Sequence, residues 1–143
     1  MLAIGSDHGG FYLKQAIMKH LDSRGIAYKD FGTSTPDSCD YPDYGKAVAK
    51  AVASGEYERG ILICGTGIGI SITANKVPGI RAALCGDCFS AEATRQHNDA
   101  NILALGARVT GEGLALKIVD TFLDTPFSGD ERHIRRIAKI EED

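Results

Sequence analysis

Gly60-Ile61-Leu62-Ile63-Cys64-Gly65-Thr66-Gly67-Ile68-Gly69 is a short apolar run that passes directly into alternating glycines. An uninterrupted apolar run of this length suits a central parallel strand, buried on both faces. The glycines that follow permit a tight turn and a close approach of backbone, and a helix starts among them. A central parallel strand needs parallel neighbours joined by helical crossovers, so the rest of the chain should alternate strand and helix.

Working outward, it does. Leu2-Ala3-Ile4 precedes a helix with Leu13, Ile17 and Leu21 one turn apart, closed by Gly25. A weaker strand around Ile26-Ala27-Tyr28 leads through a polar loop, Gly32 to Asp40, into a helix striped with Tyr44, Ala47, Val48, Ala51 and Val52 and ended by Gly55. Ile80 to Leu84 and Asn101 to Leu105 read as two more strands, with a helix from about Phe89 to His97 between them. Leu114, Ile118, Val119 and Phe122 mark a further helix, and beyond the break at Pro126 and Gly129 a last helical segment runs from Glu131 to Glu141. Five strands alternating with helices define an α/β protein: a doubly wound, parallel five-stranded sheet with helices on both faces, a Rossmann-like or flavodoxin-like three-layer sandwich. Ligands of such sheets bind beyond the carboxyl ends of the strands, near the point where strand order reverses. Asp7-His8-Gly9-Gly10, the glycine turn, Gly86-Asp87 and Gly106-Ala107-Arg108 should therefore converge.

Residues 1–143 are expected to form one domain, since a chain of this length builds one substantial core. A formal charge of -3 argues against broad attraction to nucleic acid or an anionic membrane. There is no apolar run approaching the ~20 residues of a membrane span. The opening Met1-Leu2-Ala3-Ile4-Gly5-Ser6-Asp7 lacks the regions of a signal peptide, so a cytoplasmic protein is expected. The four cysteines, Cys39, Cys64, Cys85 and Cys88, are unevenly spaced and read as reduced thiols. Cys85-Gly86-Asp87-Cys88 has redox or half-zinc spacing, but no second pair completes a metal site.

The glycine turn fails the tests for common nucleotide motifs. A dinucleotide fingerprint would need a glycine where Ile70 or Ile72 stands, and no Gly-Lys-Ser/Thr ending follows. What remains is a helix start where backbone N–H groups can face an anion, with Cys64 in the same field, which favours the reactive thiolate.

Asp7-His8-Gly9, Asp40-Tyr41-Pro42, Cys64 to Ser71, Asn75-Lys76, Gly79-Ile80-Arg81-Ala82, Arg95-Gln96-His97-Asn98 and Arg132-His133 together resemble the type B ribose-5-phosphate isomerase family, nearly end to end. That family includes galactose-6-phosphate isomerase subunits. The resemblance implies interconversion of ribose 5-phosphate and ribulose 5-phosphate through an enediolate, with no metal or organic cofactor. Cys64 matches the family's catalytic base. Some members place a glutamate where Ile70 stands, and isoleucine cannot take a proton. The backbone N–H groups of Gly65, Thr66, Gly67, Ile68 and Gly69, with the Thr66 hydroxyl, would stabilise charge on the sugar oxygens. His97 matches the ring-opening residue, with Asn98 holding a sugar hydroxyl. Asp7, His8 and Tyr41 match sugar-binding positions, and Arg108, Arg132 and Arg136 match phosphate ligands, with Arg135 an adjacent competitor. His20 and His133 read as non-catalytic, although His133 is placed to line the pocket.

The resemblance further implies a homodimer, or a dimer of dimers, whose active site is shared between subunits, with the C-terminal helix at the interface. The phosphorylated sugar is the expected partner, with neither nucleic acid nor membrane. Alternatives are an isomerase of a hexose phosphate (allose or galactose 6-phosphate), a non-catalytic sugar-phosphate-binding module, and a thiol redox protein using Cys85 and Cys88.

Overall fold

The structure, a computed structural model, describes residues 1–142. Strands β1 (Leu2–Ser6), β2 (Tyr28–Asp30), β3 (Arg59–Cys64), β4 (Ala82–Leu84) and β5 (Ile102–Gly106) form one parallel sheet in the order β2-β1-β3-β5-β4. The helices are α1 (Phe11–Ser23), α2 (Tyr41–Ala53), α3 (Ile68–Ala74), α4 (Cys88–Ala93), α5 (Glu112–Asp124) and α6 (Glu131–Glu141). A 3-10 turn, His8–Gly10, leads into α1, and one π-helical turn, Thr94–Asn98, extends α4.

Side-chain alternation along β3 divides the core into two layers. Ile61 and Ile63 pack with Leu13, Ile17 and Leu21 of α1 and Ile118, Val119 and Phe122 of α5. Leu62 and Cys64 face the other way, against Val48, Ala49 and Val52 of α2 and Ile70 and Ala74 of α3. Both faces of the strand are thus removed from water, each large aliphatic side chain contributing about 1.5–3 kcal/mol. The α2 stripe is centred on Gly45, Val48, Ala49 and Val52, so Tyr44, Ala47 and Ala51 sit at its partly exposed edge.

Two strands begin later than their apolar runs suggest. The N–H of Ile26 bonds to the Leu21 carbonyl and closes α1 beyond Gly25, whose φ of +69° is left-handed, so β2 starts only at Tyr28. At β4, the Arg81 N–H goes to the Asn101 side chain and the Ala82 N–H to that of Asn75, so side chains replace the first ladder bonds. In α1, Lys14 is fully buried and donates to Asp30 Oδ1 and the Thr33 carbonyl, both at 2.6 Å, fixing the chain after β2.

The chain moves from β1 outward to β2 and then back across to β3, so strand order reverses between β1 and β3. The carboxyl ends of those two strands carry Asp7 and Cys64, which places the crevice of a doubly wound sheet at the glycine turn.

Candidate active site

Cys64 is the last residue of β3 and is buried. Its Sγ accepts a hydrogen bond from the Gly67 N–H at 3.1 Å, made possible by the left-handed Gly67, φ +80°. Thr66 Oγ1 accepts from the Ile68 N–H at 3.2 Å. Two N–H groups expected to face a ligand are therefore already committed, while the Thr66 hydroxyl proton remains free to donate. Ile70 lies fully buried against α2.

Around this turn stand four other expected residues. Asp7 is buried and caps the 3-10 turn, accepting from the Gly10 N–H at 3.1 Å. Capping fixes its carboxylate beside Gly9, where an added Cβ would lie 3.3 Å from the Gly65 nitrogen. His8 Nδ1 accepts from the Cys39 N–H at 3.2 Å, which holds the ring as the tautomer with its proton on Nε2. Tyr41, the first residue of α2, lies over Gly69: a Cβ there would sit 2.7 Å from its ring. Arg108 follows β5, its own N–H bonded to the Gly65 carbonyl at 2.9 Å, and its guanidinium passes over Gly65. It is exposed and forms no ion pair among the described residues. An apolar hollow of about 300 Å³ beside Thr66 is lined by Ile68, Leu84, Val109 and Thr110.

His97, Asn98, Arg132 and Arg136 lie elsewhere. α4 starts at the carboxyl end of β4 and runs back, so His97 and Asn98 emerge where β5 begins; the Asn101 carbonyl there receives the N–H of Gly60, at the start of β3. From Gly60 to Cys64 the strand advances about 13 Å at ~3.3 Å per residue, which puts the two groups at opposite ends of the sheet. At the amino end, the His97 and His133 rings lie 4.5 Å apart and His133 Nδ1 is 3.0 Å from Ser128 Oγ. The Thr94 hydroxyl donates to Asn98 Oδ1 at 3.0 Å, leaving the Asn98 amide N–H groups for another partner. Arg132 makes a two-pronged contact with Asp130, at 3.2 and 3.1 Å. Those bonds hold the Asp130 carboxyl down at about 2. Arg135 and Arg136 are exposed, with no ion pair among the described residues. A hollow of about 620 Å³ near this group is lined by Asn75, Arg81, Asn98, Ile140 and Glu141.

Sequence reasoning missed Cys39, Asp130 and Thr94. Asp130 was the legible one: an acid just before Glu131 is an ordinary helix cap. The redox reading of Cys85 and Cys88 gains nothing, since all four cysteines are free and burial pushes the Cys85 thiol up to about 11. Among the described residues no His, Cys, Asp and Glu cluster is built to hold a metal, and no helix is long and apolar enough to cross a membrane.

Fold and site together define a doubly wound α/β protein whose switch-point turn presents a thiol in place of a nucleotide fingerprint, with histidine and arginines gathered at the far end. The chain belongs to the Ribose/Galactose Isomerase family, which matches residues 2–140. The solved structure of Clostridium thermocellum ribose-5-phosphate isomerase B superposes with a TM-score of 0.96 at 59% identity, covering 98% of this chain and 94% of that one. Escherichia coli ribose-5-phosphate isomerase B is 52% identical over 139 residues, 97% of this chain and 93% of its own length. D-erythrulose-4-phosphate isomerase of Pectobacterium atrosepticum is 45% identical over 129 residues, 90% of this chain and 85% of its own.

Proposed function

We propose that the protein is an aldose-ketose isomerase interconverting D-ribose 5-phosphate and D-ribulose 5-phosphate, acting as a homodimer in which each site joins the carboxyl end of one sheet to the amino end of another. The observation that carries this reading is the Cys64 thiol, held by the Gly67 N–H between the Asp7-His8 corner and Arg108. It adds to the family membership a positioned group for proton transfer. Two chains are needed because His97, Asn98, Arg132 and Arg136 lie at the opposite end of the sheet from Cys64.

In this reading Asp7 and His8 hold sugar hydroxyls, and Tyr41 closes one wall. His97 of the second chain takes the proton of the anomeric hydroxyl and returns one to the ring oxygen as the C1–O4 bond breaks, releasing the aldehyde. Cys64 then removes the proton on C2 and delivers it to C1 while the hydroxyl proton of O2 passes to O1, so the double bond moves from C1–O1 through C1–C2 to C2–O2. The Thr66 hydroxyl and the free N–H groups of the turn stabilise the enediolate between those steps. The phosphate is held by Arg108 of one chain and Arg132 and Arg136 of the other, guanidinium forks suiting phosphate oxygens.

The D-erythrulose-4-phosphate isomerase relative keeps a second reading open, a phosphorylated sugar of another length on the same machinery. The test is kcat/KM for ribose 5-phosphate, allose 6-phosphate, galactose 6-phosphate and erythrulose 4-phosphate, with Cys64→Ala alongside. Ribose 5-phosphate should lead, and the variant should fold yet lose roughly 10²–10⁴ in kcat. Another sugar leading tenfold would overturn the substrate, and near-normal turnover by Cys64→Ala would overturn the base.

A further inference from the structure

Arg81 is a residue of the Gly79-Ile80-Arg81-Ala82 stretch that the proposed chemistry leaves without work. It stands at the entrance to β4, four-fifths covered, and its guanidinium makes three bonds in three directions. Nε donates to the Asn98 carbonyl at 2.9 Å, Nη2 to the Asp99 carbonyl at 2.9 Å, and Nη1 to Glu141 Oε1 at 2.7 Å. The first two acceptors are carbonyls freed where the π-helical turn ends, which have no helical partner of their own. The third belongs to the last residue of α6.

These bonds join a turn with a left-handed non-glycine residue to a helix without a buried residue. Asp99 has φ of +46°, a left-handed backbone that a non-glycine residue adopts only when its surroundings impose it. Arg95 grips the same turn from inside, donating to Asp99 Oδ1 and the Ala100 carbonyl at 2.7 Å and to the Thr125 carbonyl at 3.1 Å. α6 has no buried residue, and its contacts include His133 against His97 near one end and Glu141 on Arg81 at the other. Arg81 touches both the His97-Asn98 turn and the helix carrying Arg132 and Arg136.

We infer that Arg81 is a positioning residue, a three-way clamp that sets the ring-opening turn and the phosphate-binding helix in register before a second chain receives them. The inference rests on the function proposed above. A lysine keeps the charge but presents a single ammonium, which cannot serve two carbonyls and a carboxylate in one plane. Misplacement by an ångström is enough to cost a large factor in rate.

The test compares wild type, Arg81→Lys and Glu141→Gln by steady-state kinetics on ribose 5-phosphate, thermal unfolding, and hydrogen exchange of segments 94–100 and 131–141. Arg81→Lys should lower kcat about tenfold and raise KM, while Tm stays within ~2 °C of wild type. Glu141→Gln, which frees only α6, should raise KM about threefold with kcat within about twofold. Exchange should accelerate in both segments for Arg81→Lys and only in 131–141 for Glu141→Gln. Wild-type kinetics and exchange in a folded Arg81→Lys would overturn the clamp, as would activity lost only in step with Tm and exchange raised along the whole chain. If wild type does not turn over ribose 5-phosphate, the functional reading fails, and the exchange pattern still decides the clamp: local acceleration supports it and none overturns it.

Discussion

The N–H of Gly67 donates to the sulfur of Cys64 at 3.1 Å, so the turn and the thiol form one unit. Gly67 reaches that position only with φ of +80°, and a Cβ there would lie 2.8 Å from the Leu105 carbonyl carbon. Gly67→Ala should therefore lose about 1–3 kcal/mol or more of stability together with most of the activity. Gly65→Ala differs, because its Cβ would meet only the mobile end of Arg108, at 3.3 Å. That variant should keep the wild-type Tm within a few degrees and show its defect in KM. Thermal melts and steady-state kinetics on the pair check this, and a Gly67→Ala protein with wild-type Tm would contradict it.

Asp130 occupies the two prongs of Arg132 and stays ionised down to about pH 2. A phosphate dianion bound by Arg132 as proposed would share or displace that carboxylate. Asn at this position still caps α6 but removes the competing charge. Asp130→Asn should lower KM for ribose 5-phosphate by about two- to threefold with kcat unchanged. A raised KM would mean that Asp130 orients Arg132 instead of competing for it.

The Cys85 thiol is buried beneath the sheet end and its ionisation is displaced from 9.0 to about 11 by that burial. The neutral thiol is the form the fold prefers. Its contribution to stability is complete below about pH 9 and fades as pH rises toward 11, since the unfolded chain ionises first. Tm of wild type should fall across that window, and Cys85→Ala, less stable at pH 8, should fall less steeply. Iodoacetamide at pH 8 should label Cys39 and Cys88, both partly exposed, ahead of Cys85. Rapid alkylation of native Cys85 would contradict the assignment.

Much of the sheet was legible because β3 and β5 are continuous apolar runs and the α6 boundaries coincide with charge and breaker residues. Strand order was not. Nothing local in Ile102 to Gly106 states that β5 inserts between β3 and β4, because order is fixed by which crossover covers which face. β2 and β4 start later than their apolar residues suggest because the N–H groups of Ile26 and Ile80 close turns, and at β4 the next two N–H groups go to the Asn101 and Asn75 side chains instead of joining the ladder. At the site, the resemblance named Cys64 and His97 together, and only topology separates them. Arg81 was visible as part of a motif, yet its work lies in three acceptors 17, 18 and 60 residues away, which no spacing rule reports.

In the proposed dimer each site takes Cys64 from one chain and His97 from another. Co-expression of Cys64→Ala with His97→Ala, followed by purification of the mixed dimer pool, tests it. Each mixed dimer then holds one intact site and one site lacking both groups, so random pairing should restore about a quarter of wild-type kcat from two inactive parents. Full absence of recovery in a pool shown to contain mixed dimers would contradict the shared site and return Cys64 and His97 to a single chain.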